Sequence, residues 1–188
     1  MDSFYSQMEL ELIGLGSFGK EVKLSRKCSI YSPHKLYLGD NVRIDDFCFL
    51  SGIISIGSNV HVGPYVAMYG GDAGIEIQDF ATVSSRCAIY AQSDDYKGSY
   101  LHNPNIPDRF KNIINGRVVL EKHSMIGTGS TVLLGTTVGQ GTTVGAMSLV
   151  KGKLDPWGCY VGIPCKRIFE RDRERIMELE REYLSNNG

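Results

Sequence analysis

The chain carries no charge excess: 20 Lys and Arg stand against 21 Asp and Glu, a formal net charge of −1. That excludes a basic field for nucleic acid or an anionic membrane surface, so any phosphate must be held by locally placed cations. No apolar run approaches the length of a membrane span, and the N-terminal MDSFYSQMELEL has neither a basic segment nor an apolar core. These absences imply a cytoplasmic protein that engages no membrane. There is no Cys-x-x-Cys pair, and the five cysteines, Cys28, Cys48, Cys87, Cys159 and Cys165, are odd in number. Neither a disulfide framework nor a zinc knuckle is therefore indicated. The four histidines, His34, His61, His102 and His123, contain no His-x-x-x-x-His pair to seed a metal site, so no metal is expected.

What is present is a repeat. Leu120, Ile126, Val132, Val138, Val144 and Val150 follow one another at a spacing of six, and Gly127, Gly139 and Gly145 come directly after an aliphatic. Period six fits neither a 3.6-residue helix nor simple strand alternation. It fits a coil whose flat faces are each one short strand plus one corner, three hexads to a triangular turn. Glycine after the aliphatic relieves crowding where the backbone turns. An earlier block has the same spacing: Leu38, Ile44, Leu50, Ile56, Val62 and Met68. After a phase slip at Gly70-Gly-Asp-Ala-Gly74 it resumes at Ile77, Val83 and Ile89. Phase slips in a solenoid mark places where loops leave the coil. Cys48 and Cys87 occupy the small-residue slot of their hexads and are expected to be inert core thiols.

Gly14-Leu-Gly16-Ser-Phe-Gly19 spells G-x-G-x-x-G. A dinucleotide site needs a βαβ unit of about 30 residues behind it. Leu24 and Ile30 already begin repeat spacing, so the match is read as accidental.

One domain is expected across residues 1–188. Its parts are an N-terminal cap (1–23), a β-helix (24–158) with an excursion loop (92–117), and a closing segment with a C-terminal helix (159–188). The excursion is polar, has no apolar period, and carries Tyr96, Tyr100 and Phe110, which point to docking rather than disorder. In ERDRERIMELEREYL the stripe Ile176, Leu179 and Tyr183 predicts a helix. The helix is expected to shield the edge of the last coil.

The repeated [Ile/Leu/Val]-Gly-x-x-[Ser/Thr/Ala]-x pattern, with the closing Gly162-Ile-Pro-Cys-Lys-Arg-Ile168, resembles the hexapeptide-repeat acyltransferases. The resemblance implies an all-β fold: a left-handed parallel β-helix of hexapeptide repeats with an excursion loop and a C-terminal α-helix. It also implies an enzyme that uses acyl-CoA as co-substrate, in a homotrimer with sites between subunits. By the same resemblance, coenzyme A would lie along Thr128, Gly129, Ala146 and Met147. Its phosphates would meet Lys151, Lys153, Lys166 and Arg167, lysine suiting phosphate as a point charge.

Sugar O-acetyltransferases of this family carry a histidine after the hexad that precedes the loop. Counting from Val83 puts Asp94 in its place. A sugar hydroxyl needs its proton removed during attack, and an ordinary carboxylate is a weak base for that. An amine already carries a nucleophilic lone pair, so the protein need only orient it and exclude water. The substitution therefore favours N-acylation, with Asp94 and Ser84 orienting the amine. Asp72, Tyr65, Tyr69 and Asp95 are the expected acceptor contacts. Asp94 and Asp95 have a plainer reading as turn caps, since Ser-Asp-Asp is ordinary turn chemistry. His102 is a further candidate base if the loop folds back, but a solvated loop histidine is the favoured reading.

The pattern is similar to that of N-acyltransferases acting on dTDP-4-amino-4,6-dideoxyhexoses, as in anthrose formation. It implies an acceptor that is a nucleotide-linked amino sugar, dTDP-4-amino-4,6-dideoxyglucose. The alternatives are O-acetylation of a sugar or polysaccharide and a non-catalytic trimeric scaffold.

Overall fold

The computed structural model describes residues 3–187; Met1, Asp2 and Gly188 of the expected domain lie outside them. The chain forms a left-handed parallel β-helix of about seven turns. Its first face stacks Lys23–Leu24, Arg43–Ile44, His61–Val62, Thr82–Val83, Met125–Ile126, Thr143–Val144 and Gly158–Gly162. The second face is built from Ser29–Tyr31, Ala88–Tyr90, Thr131–Val132 and Leu149–Val150; the third from Ser17–Phe18, Leu36–Leu38, Val118–Leu120, Thr137–Val138 and Lys153–Leu154. Two long strands, Phe49–Ile56 and Ala67–Ile77, run through both of the latter faces.

The period of six decides what is buried. Leu120, Ile126, Val132, Val138, Val144 and Val150 are all 0 % exposed, and Leu38, Ile44, Leu50, Ile56, Val62 and Met68 are equally interior. Each such side chain gives up water for a contribution of about 1.5–3 kcal/mol. The slot four residues after each aliphatic holds Ser124, Ser130, Thr136, Thr142 and Ser148, also buried. The Ser130 and Ser148 hydroxyls donate to the Gly145 carbonyl, and Thr142 donates to Asp155 O. The Ser124 and Thr136 hydroxyls have no partner among the described residues. Cys48 and Cys87 fill the same slot at 1 % exposure, donating to the Gly63 and Gly127 carbonyls, and burial pushes the Cys87 thiol up.

Glycine directly after an aliphatic answers to coil-to-coil contact. A Cβ on Gly127 would lie 2.6 Å from the Ala146 nitrogen. The corner itself is made two residues later, in the left-handed region, by Gly129, Gly141, His123 and Met147.

Several expectations need correction. Coil pairing begins inside the stretch read as an N-terminal cap, because Ser17–Phe18 pairs with Tyr37–Leu38. The G-x-G-x-x-G stretch follows helix α1 (Gln7–Ile13), which ends at Gly14 in the left-handed region, and then enters a strand. That order is the reverse of a dinucleotide turn, which agrees with the reading of the match as accidental and calls for no correction. The slip at Gly70 to Gly74 releases no loop. It is absorbed within the eleven-residue strand Ala67–Ile77, where Gly52 and Gly71 pack so closely that a Cβ on Gly52 would lie 2.3 Å from Gly71 N.

Helix α2 (Arg173–Asn187) does not cap the last coil. It runs back along the edge after the third face, where Tyr183 Oη donates to Asn59 and Glu180 reaches Lys122 and His123. Phe80 stacks on His123 and meets Tyr183 edge-on. At the last coil, the first face is extended by the antiparallel pair Gly158–Gly162 and Cys165–Glu170.

Candidate active site

The edge between the first and second faces gathers one group of expected residues. Ser84 N donates to Ile126 O at 2.9 Å, Gly127 N to Val144 O at 2.8 Å, Gly129 N to Ser85 O at 3.0 Å, and Met147 N to Thr128 O at 2.8 Å. Corners 84–86, 127–129 and 145–147 are therefore stacked on three successive coils. Ser84, Thr128, Gly129, Ala146 and Met147 share one edge although 63 positions separate the first from the last. Thr128, Ala146 and Met147 are exposed, Met147 at 70 %. Among the described residues nothing accepts from the Thr128 or Ala146 N–H. The edge is a narrow exposed rail that offers main-chain donors.

The second group lies beyond the other side of the second face. Gln92–Ser93 pairs antiparallel with Ile114–Asn115, so the excursion leaves and returns through a short β-ladder. A bridge between Leu101 and Lys111 and a 3-10 turn at Asp108–Phe110 brace its outer part. Between this ladder and the second face is a cavity of about 850 Å³. Its floor is the stacked pair Tyr69 and Tyr90, ring centroids 4.8 Å apart and planes within 1°. Asp94, Asp95, Tyr96 and Lys97 line one side, and Ile113, Ile114, Leu133 and Leu134 supply apolar wall.

The two adjacent aspartates have separate roles. Asp95 accepts from the N–H groups of Lys97, Ser99 and Tyr100 at 2.8, 2.7 and 3.0 Å. These bonds, Lys97's first among them, hold its carboxyl below the usual carboxylate range. Asp95 thus takes the turn-capping role. Among the described residues no donor engages the carboxylate of Asp94, which stays exposed at the cavity.

Other expected residues do not join. Tyr65 stands on the Ser84 edge, half exposed and stacked on Phe47 at 5.0 Å, so it does not share a side with Tyr69. Asp72 points to solvent with Lys35 at 3.7 Å. Ser84 is not part of the cavity wall within one chain. The cations also divide. Lys151 and Lys153 flank the Gly152 corner on the second and third faces, whereas Lys166 and Arg167 sit on the strand Cys165–Glu170 of the first, with Arg167 paired to Glu170 at 2.9 Å. The four cations therefore do not form a single cluster.

Tyr90, Thr131, Leu133 and Leu134 are site-lining residues that sequence reasoning missed. Tyr90 and Leu133 directly follow buried aliphatics, so strand alternation marks them as outward-facing; nothing local marks the excursion as closing over them. His102 is exposed on the outer loop and absent from the cavity wall. His61 is bonded to Asp45 at 2.7 Å and His123 to Glu180 at 2.7 Å. Among the described residues no three His, Cys, Asp or Glu side chains are grouped to hold a metal.

No family model matches the chain. A curated relative does: the dTDP-4-amino-4,6-dideoxy-D-glucose acyltransferase of Escherichia coli, 38 % identical over 181 residues, 95 % of this chain and 93 % of that one. The chain belongs to the dTDP-4-amino-4,6-dideoxyglucose acyltransferase family. Solved members agree in shape along the whole length. The S84C variant of AntD, an N-acyltransferase from Bacillus cereus, in complex with dTDP-4-amino-4,6-dideoxyglucose and coenzyme A, is 50 % identical with a TM-score of 0.95, covering 99 % of each chain. AntD with dTDP and 3-hydroxybutyryl-CoA is 51 % identical with a TM-score of 0.95, covering 100 % of each chain.

Proposed function

We propose that this protein transfers an acyl group from acyl-CoA to the 4-amine of dTDP-4-amino-4,6-dideoxyglucose. The observation that carries the reading is the cavity in which Asp94 keeps a carboxylate with no donor among the described residues while Asp95 takes the turn. A carboxylate held that way is free to receive an ammonium and orient it. The family relatives acting on this sugar support the choice of acceptor.

The course is direct. The ammonium first gives up one proton to solvent, and the free-base amine then attacks the thioester carbonyl and forms the C–N bond. The tetrahedral intermediate then collapses with rupture of the C–S bond. Coenzyme A leaves as thiolate, and the proton lost from nitrogen passes to it or to water. Asp94 orients the amine, and the Ser84 hydroxyl bonds the acceptor. Thr128, Gly129, Ala146 and Met147 seat pantetheine, while Lys151, Lys153, Lys166 and Arg167 take phosphates. Tyr69 lines the acceptor site.

The site is completed in a homotrimer, where the rail of one subunit meets the Asp94 cavity of the next. Exposed Met147, Tyr65 and Phe47 on the rail edge, and Tyr96 at 93 % exposure on the excursion, support such a closed ring. The chain acts as one acyltransferase domain. No helix among the described residues is long and apolar enough to cross a membrane, and a cytoplasmic location accords with the substrates.

The test is thiol release from acyl-CoA with amino and hydroxy forms of the dTDP-sugar. Release with the amino sugar alone is expected. Equal rates with the hydroxy sugar would favour O-acylation, and no release with any acceptor would favour a scaffold.

A further inference from the structure

We infer that Cys28 and Cys48 form a peroxide-sensitive dithiol, a modification site in which the two thiols close to a disulfide across adjacent early coils. The inference is independent of the proposed acyl transfer.

The repeat stacks the two thiols. Ser29–Tyr31 pairs in register with Phe49–Ser51, and Ser29 N donates to Cys48 O at 2.9 Å, so Cys28 and Cys48 occupy one slot in adjacent coils. Neighbouring strands lie about 4.8 Å apart, inside the range of Cα separations of about 4.4–6.8 Å that a disulfide spans. The Cys28 sulfur also leans the required way. It donates to Asp45 O at 3.2 Å, a carbonyl on the coil that carries Cys48. Cys48 donates to Gly63 O at 3.2 Å, a weak bond that it can give up, and the two thiols also bond each other. Among the described residues no other cysteine has such a partner. Cys87 stacks between Val66 and Ser130, while Cys159 and Cys165 face Phe169 and Gly162 across the closing hairpin.

The pair divides the two steps of an oxidation. Cys28 is half-buried, so a peroxide reaches it first; Cys48 is 1 % exposed. The bond from Cys48 holds the Cys28 thiol below its usual range although burial opposes it; the same bond, helped by burial, pushes the Cys48 thiol up. Cys28 is therefore the attacking thiolate and Cys48 the resolving thiol. The Cys28 sulfur attacks one peroxide oxygen. An S–O bond forms and the O–O bond breaks, leaving a sulfenic acid and a hydroxide that takes the proton Cys28 released. The Cys48 sulfur then attacks the Cys28 sulfur, the S–O bond breaks, and the hydroxyl leaves as water with the Cys48 proton. Two thiols are oxidised, and one hydrogen peroxide is reduced to two waters. Closure spares Cys28 the irreversible sulfinic acid, and a dithiol reductant reopens the link.

The experiment exposes the full-length protein to a small excess of hydrogen peroxide, then counts thiols and maps tryptic peptides under denaturing, non-reducing conditions. Two of the five free thiols should disappear, with a mass loss of two hydrogens. Cys28 and Cys48 should be joined within a single chain, and dithiothreitol should restore both. Serine already fills this slot at Ser130 and Ser148, so Cys28→Ser and Cys48→Ser should fold. Cys28→Ser should form no link. In Cys48→Ser the sulfenic acid has no resolving thiol, so dimedone should label Cys28 about tenfold more than in wild type. An unchanged thiol count overturns the inference, as does oxidation of Cys28 to sulfinic acid without a link. So does a link between chains or through Cys87, Cys159 or Cys165, or equal dimedone labelling in wild type and Cys48→Ser.

Discussion

Asp94 and Asp95 are neighbours in sequence, yet one carboxylate is engaged by three backbone donors and the other by none among the described residues. Asp94→Asn should lower kcat on the order of 10- to 100-fold, because orientation of the amine is lost with the charge. Its melting temperature should stay at the wild-type value. Steady-state kinetics with calorimetry on the same preparation checks both, and an unchanged kcat would return Asp94 to a plain loop residue.

Asp95→Ala should act differently. Three N–H groups lose their acceptor, so the outer excursion loosens and becomes the first site of limited proteolysis. The lowered carboxyl contributes above its unfolded value of 3.8 and loses that contribution as pH falls through its folded value. Wild-type protection of the loop should therefore fade only in acid below that point.

Ser84→Ala removes one hydroxyl from the rail. A loss of about two- to tenfold in kcat/KM is expected, the worth of one neutral hydrogen bond. A loss as large as that for Asp94→Asn would mean that the serine does more than orient.

Ala146→Asp puts a carboxylate on the rail between Thr128 and the cations of the last coils. The KM for acyl-CoA should rise about tenfold through repulsion of its phosphates and crowding of pantetheine, with the KM for the sugar little changed. A rise confined to the sugar would move the rail to the acceptor side.

Glu180 holds helix α2 to the coil through Lys122 and His123. Burial disfavours its ionised form, but the bonds from these two residues outweigh that and hold its carboxyl below the usual 4.5. The ionised carboxylate therefore stabilises the fold above that value and ceases to as pH falls through its lower folded one. Glu180→Ala should cost about 1–3 kcal/mol near neutrality, a drop of several degrees in Tm, because Lys122 and the mostly buried His123 lose their partner. The gap between wild type and variant should narrow in acid; a constant gap would show that only packing was lost.

Spacing alone determined the coil. Each aliphatic from Leu120 to Val150 is fully buried, since a residue repeated every six must fall at the same point of every face, whatever its local propensity. The family resemblance, carried over by counting, pointed to Asp94 and to Thr128 with Ala146, and the hexad spacing is what made that carry-over possible. Tertiary structure decided what interrupts the period. Bulged strands rather than a loop take up the slip at Gly70 to Gly74, because Gly52 and Gly71 can approach without side chains. The excursion folds back so that Ile113 and Ile114 share a wall with Leu133, a contact across non-periodic sequence that no spacing encodes. Helix α2 was legible as a helix, but its docking site depends on Lys122, His123 and Phe80 meeting at one edge. The division of labour between Asp94 and Asp95 likewise depended on where the loop's N–H groups point, which the backbone path settles and the dipeptide does not.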